Sequence, residues 1–184
     1  MMAIKNTASG YGWAAIALHW LMALGIFFLF GLGLYMVELT YYDPWYRDSL
    51  DLHKSIGLVL LLVWFTRLVW RWINTSPAPV GTPVEQKAAH WVHVILYLIM
   101  IALFVTGYLI STADGRAISV FGLVDVPALG YALENQEDIA GVIHWGLAWT
   151  LMGLVALDAA AAIKHQLIDK DNTLARMVRP QDDS

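Results

Sequence analysis

Four long apolar stretches, separated by polar and acidic connections, set the pattern of this chain. The first runs from about Trp13 to Val37 and carries no charge. The second, about Leu52 to Ile73, has Lys54 at one end and Arg67 and Arg71 at the other. The third, Ala88 to Ala113, is uncharged, and the fourth, Ile139 to Ile163, is interrupted only by Asp158. About 20 apolar residues suffice to cross a bilayer, so each stretch predicts a transmembrane helix. The first is too long for a signal peptide and lacks the small-residue cleavage pattern. Short connections between sequential helices predict an all-α, transmembrane four-helix up-down-up-down bundle. It is read as a single membrane domain over residues 1–184, with a polar tail over 164–184.

Composition agrees and removes several function classes. Of 184 residues, 59% are hydrophobic and 14% charged, a balance that a soluble domain of this size rarely carries. The lipid bilayer is therefore the first partner. The net charge of −4 and the lack of a basic stretch exclude nucleic acid. Cysteine is absent, which excludes disulfides, thiolate metal sites and covalent haem attachment.

Charge also orients the chain. With the N-terminus inside, one face collects Lys5, Arg67, Arg71, Lys87, Lys164, Lys170, Arg176 and Arg179, the other only Arg47, Lys54 and Arg116. That asymmetry predicts cytoplasmic termini. The opposite face is acidic, from Glu38 through Asp43, Asp48, Asp51, Asp114 and Asp125 to Asp138. The loop from about Asp114 to Asp138 is the longest connection and is expected to cap the outer end of the bundle.

Histidine placement carries the chemistry. A polar side chain in hydrocarbon is costly and usually turns inward toward a partner or cofactor. His53 opens the second stretch from the outside and His144 opens the fourth from the same side, at matched depth. Two imidazoles so placed suit bis-histidine ligation of one low-spin haem. Imidazole also suits zinc or copper, but no carboxylate or thiolate partner is evident at that depth. Fourteen residues after His144, or ~21 Å along a helix and on nearly the same face, stands Asp158. Arg67 is likewise fourteen residues after His53. The inner half thus gathers His19, Arg67, His93 and Asp158, and an aspartate and an arginine at one depth are expected to pair.

The segments Ala17-Leu18-His19-Trp20-Leu21, Leu52-His53-Lys54-Ser55-Ile56-Gly57, Ala89-His90-Trp91-Val92-His93 and Val142-Ile143-His144-Trp145 resemble the bacterial cytochrome b561 family, as does the tail from Lys164-His165-Gln166 to Asp171-Asn172-Thr173-Leu174. The resemblance covers nearly the whole chain. It implies an inner-membrane four-helix cytochrome, in a family whose members usually hold two b haems and exchange electrons with the quinone pool. Some members are superoxide oxidases that pass electrons to ubiquinone. By this resemblance His53 and His144 match the axial ligands of an outer haem, and His19 matches one ligand of an inner haem. The partner of His19 in the family is a histidine where this chain has Asp158.

Three outcomes stay open for the inner level. It holds haem through His19 with a weak, water-filled or His93 sixth position; it is empty, with Asp158 paired to Arg67; or it takes another group such as a quinone headgroup. Lys54, Arg67 and Arg71 are candidates for haem propionates, or else snorkel at the interface. The expected function is electron transfer by non-covalent haem b, with ubiquinone as an expected partner. Alternatives are superoxide oxidation, or a haem-binding anchor that receives electrons from a soluble redox protein.

Overall fold

A computed structural model describes residues 4–130 and 134–180. Four long helices dominate it: α1 (Trp13–Met36), α2 (Tyr46–Ile73), α3 (Pro83–Ser111) and α4 (Gln136–Lys164). A two-stranded antiparallel hairpin, β1 (Ile118–Val120) and β2 (Val124–Val126), lies between α3 and α4. After α4 come a π-helical turn, His165–Asp169, and the single-turn α5 (Thr173–Arg176). All four long helices are long and apolar enough to cross a membrane. Their outward side chains, among them Leu24, Phe27, Leu62, Leu98 and Val142, remain exposed, as lipid-facing surface should.

The helices outrun the apolar stretches at three of their N-terminal ends. α2 starts at Tyr46 rather than near Leu52 and α3 at Pro83 rather than Ala88. α4 starts at Gln136 rather than Ile139. Hydropathy marks only the part of a helix that meets hydrocarbon, whereas capping marks where the helix begins. For α3 that start is a capping box. The Glu85 amide donates to Thr82 Oγ1 at 3.4 Å, while the Thr82 amide donates to Glu85 Oε2 at 2.8 Å. Pro83 follows in the first helical position, where its missing N–H costs nothing.

The chain clusters into two compact units, and each long helix contributes a segment to both. The first unit takes the chain up to Met22, Val63–Leu98, and everything from Leu151 onward. The second takes Ala23–Leu62 and Ile99–Thr150. The chain passes from first to second in α1 and α3 and returns in α2 and α4, which is the alternation expected of an up-down-up-down bundle.

Within the second unit, the loop expected to cap the outer end is pinned by side chains of α2 and α3. Residues 131–133 of that loop, and 181–184 of the tail, lie outside the described residues. Ser55, almost fully buried, accepts the Phe121 amide at 3.0 Å. Tyr108 donates its hydroxyl to the Pro127 carbonyl at 2.7 Å and accepts the Leu129 amide at 2.9 Å.

Within the first unit, the start of α3, the end of α4 and the tail are tied together. Lys164 bridges Glu85 of α3 and Asp169 of the π turn, at 2.7 and 2.9 Å. His165 Nδ1 lies 2.7 Å from Asp171. Burial raises the proton affinity of the Asp171 carboxyl, but hydrogen bonds from Thr173 and His165 outweigh it and hold the group below its ordinary range.

Candidate metal centre

In the second unit His53 of α2 and His144 of α4 face one another. Their ring centres are 6.4 Å apart and the planes are tilted by 66°. Two metal–nitrogen bonds of about 2 Å, extended by about 1.1 Å on each side from nitrogen to ring centre, span about 6 Å. The gap therefore matches one metal held between two imidazoles.

Thr106 of α3 fixes one of the rings. Its hydroxyl lies 2.8 Å from the Ala102 carbonyl, one turn back on the same helix, and 3.0 Å from His144 Nδ1. A threonine inside a helix commonly donates to that carbonyl, so its oxygen accepts the Nδ1 proton, a tautomer assigned from the hydrogen-bond network. The other ring nitrogen, Nε2, is then left with its lone pair for a metal. His53 has no such support: its Nδ1 is buried without a hydrogen-bond partner. Leaving a buried polar atom unpaired costs about 1–3 kcal/mol, so this ring is held for something other than internal bonding.

Glycines make room on every side. A Cβ at Gly33 would stand 3.5 Å from the His53 ring, and one at Gly107 would stand 3.3 Å from the His144 ring. Gly57, four residues after His53, and Gly141, three before His144, share the faces of those histidines, and both open onto empty space. Two imidazoles at that separation, with no thiolate in the chain and glycines on the adjoining helix faces, fit a flat haem better than tetrahedral zinc. The residues present fit the group.

The first unit brings together the four residues expected at the inner level, in a different pairing. Asp158 Oδ1 lies 3.5 Å from His93 Nε2. Arg67, the partner expected for Asp158, forms no ion pair with it within 4.0 Å; its Nε instead donates to the Tyr97 hydroxyl at 3.0 Å. Tyr97 lies on α3, where its ring is also covered by the Arg71 guanidinium at 5.6 Å. His19 stands within electrostatic range of Arg67, Asp158 and His93. Rotation about the helix axis turns Arg67 toward α3, so the Tyr97 phenol rather than the Asp158 carboxylate meets its Nε.

Lys54, a candidate for a haem propionate, pairs with Asp51 one turn earlier at 2.9 Å. It also lines a cleft of about 400 Å³ with Arg47, Arg116, Asp51, Tyr41 and Tyr46. All three basic residues of the predicted outer face thus meet in one place.

Sequence reasoning missed Thr106, Gly33, Gly107 and Tyr97. The adjacent Thr106-Gly107, alone in an uncharged stretch, was the available signal. A further cluster of Glu85, His165 and Asp169 has its ligand atoms within 4.8 Å of one another, but the Lys164 ammonium already sits between its carboxylates.

Comparison with known proteins identifies the family. The model of the family described as prokaryotic cytochrome b561 matches residues 10–180. Cytochrome b561 homolog 2 of Escherichia coli (strain K12) is 45% identical over 179 residues, covering 96% of this chain and 95% of that one. The probable superoxide oxidase CybB of Yersinia pestis is 30% identical over 175 residues, covering 91% and 95%. Cytochrome b561 homolog 1 of Escherichia coli (strain K12) is 29% identical over 171 residues, covering 89% and 93%. The chain belongs to the prokaryotic cytochrome b561 family, as a multi-pass inner-membrane protein that binds b-type haem and transfers electrons.

Proposed function

We propose that this protein exchanges electrons with the membrane quinone pool through a haem b held by His53 and His144. The observation that carries the reading is the opposed imidazole pair with ring centres 6.4 Å apart. When bound there, haem supplies the one-electron redox step. The chain's own residues supply two axial nitrogens, the Thr106 hydroxyl that sets the His144 tautomer, and an apolar shell that keeps water from the iron. Changing His53 or His144 to Ala should abolish the low-spin haem spectrum of the purified protein. Full haem content and an unaltered spectrum in both variants would overturn the assignment.

Both termini and the Asn74 to Pro83 connection are placed in the cytoplasm on the distribution of basic residues. Reporter fusions at each terminus test that orientation, and activity of an external reporter at either end refutes it.

One observation favours a second reading, oxidation of superoxide with ubiquinone as acceptor. Arg47, Lys54 and Arg116 line one cleft, and Lys54 is the residue next to His53. Lys54 is paired with Asp51 and Arg116 with Asp114, and the positive charge left over, on Arg47 above all, can steer a small anion on an otherwise acidic surface. Superoxide-dependent ubiquinone reduction by the purified protein tests it. The rate should fall as salt rises and should fall several-fold in Arg116→Glu. No turnover at any salt leaves electron entry from a soluble redox protein as the donor side.

A further inference from the structure

We propose that this chain binds one haem b, and that its first unit holds a carboxylate–imidazole pair, Asp158 with His93, where a second axial pair would be needed. The proposal rests on the assignment of His53 and His144 above, and it departs from the expectation of a second haem on His19.

The donor set comes first. A low-spin b haem needs two soft-to-borderline axial donors, and a carboxylate is a hard oxygen donor. Across from His19 the α4 position fourteen residues beyond His144 is Asp158, so the axial pair lacks its second nitrogen.

His93 does not replace it. Its Nε2 is the atom nearest Asp158, at 3.5 Å, which leaves Nδ1 for a metal. Nδ1 adjoins the ring carbon that carries Cβ, so a porphyrin plane bound there would run into the side chain's own stem. In the second unit the arrangement is reversed: Nδ1 of His144 is the atom engaged by Thr106, at 3.0 Å, and the outer nitrogen is free.

Glycine placement also separates the two units. Among the described helices, Gly25, Gly31, Gly33, Gly57, Gly107, Gly141 and Gly146 all fall in the second unit, and two of them face the His53 and His144 rings. The helix segments of the first unit contain only Gly153, and no side chain lies within 4 Å of the Cβ it would carry. None of the described glycines has the His19 or His93 ring within 4 Å of the Cβ it would carry, so these rings lack the close glycine neighbours of His53 and His144.

Depth suits a carboxylate here. Asp158 lies close to the end of its helix. It stands six residues from Lys164, or ~9 Å from the end of α4, and its side chain is 40% exposed. From that depth a carboxylate reaches the polar boundary without a partner in the hydrocarbon.

Haem b per polypeptide, measured on detergent-purified full-length protein together with the reduced spectrum, tests the proposal. One haem per chain is expected. His19→Ala should leave that ratio and the low-spin band unchanged, whereas His53→Ala should reduce the ratio at least ten-fold. Asp158→His, which restores the missing nitrogen donor, should raise the ratio to two and add a second redox transition. Two haems in the wild-type protein, or loss of haem in His19→Ala, would overturn the proposal. So would a folded Asp158→His that stays at one. Should Asp158→His fail to fold, the wild-type ratio and His19→Ala still decide. Two haems, one of them lost in His53→Ala, would sink this inference alone. A single haem that survives in His53→Ala would instead sink the assignment it rests on.

Discussion

The two units use the same helices and the same residue types, yet their histidines meet different neighbours, and on the proposal above only one unit builds a metal site. In the second unit two histidines face each other across 6.4 Å, a threonine sets the tautomer of one, and glycines stand back from both rings. In the first unit His19 and His93 have a carboxylate and a guanidinium for company, and His93 Nε2 lies 3.5 Å from Asp158. A buried imidazole becomes a ligand when nothing else in the protein satisfies its outer nitrogen. It becomes half of a polar pair when a carboxylate stands beside it. One side chain, at position 158, decides between the two.

The sharpest way to break this comparison is to remove a ligand from the second unit. His144→Ala should empty it, with at least a ten-fold loss of haem, and should leave the His93–Asp158 pair in place. Equal loss of haem from the corresponding His19→Ala variant would make the units equivalent.

A smaller effect is expected from the support of the ligand. Thr106→Val keeps the shape of the side chain and removes the oxygen that orients His144. Loss of such an orienting partner costs about 10–100-fold in metal affinity, here read as faster haem loss to apomyoglobin and a shifted midpoint potential. An unchanged rate and potential would reduce Thr106 to a packing residue. Gly107→Ala should act in the same direction more weakly, since the added Cβ would press on the His144 ring at 3.3 Å.

The pair in the first unit is tested by a double-mutant cycle. His93→Ala and Asp158→Ala should each lower thermal stability, and the two together should cost less than their sum by about 0.5–1 kcal/mol, as for contacting residues that are partly exposed. Strict additivity would argue that the two side chains do not meet. In the same cycle Arg67→Ala should be additive with Asp158→Ala, because Arg67 bonds Tyr97.

The smallest effect lies in the tail. The Asp171 carboxyl is held below its ordinary value of 3.8 by Thr173 and His165, against the opposing effect of burial. A depressed folded-state value stabilises the fold above the unfolded value and loses that contribution as pH falls through the folded one. Limited proteolysis should therefore release the tail more readily below about pH 4, and Asp171→Ala should do so at neutral pH. Protection at pH 3 equal to that at pH 7 would remove Asp171 as the tether.

The sequence alone determined the membrane-spanning helices and the matched depth of His53 and His144. It also marked position 158 as the place where the chain leaves its family. These follow from periodicities that a helix preserves: a rise of about 1.5 Å per residue turns spacing into depth, and an apolar run of about 20 residues has few places to go but a bilayer. Helix starts were less legible, because Arg47, Asp48 and Asp51 read as loop by hydropathy although they form the first turns of α2. Partners between helices were decided only by the tertiary structure. Depth placed Arg67, His93 and Asp158 at one level, but rotation about each helix axis and side-chain reach gave Asp158 to His93 and Arg67 to Tyr97. The same rotation turned Thr106 onto His144 and left Gly33 and Gly107 against the two rings. Spacing along one helix fixes a residue's height; only packing fixes which neighbour it meets at that height.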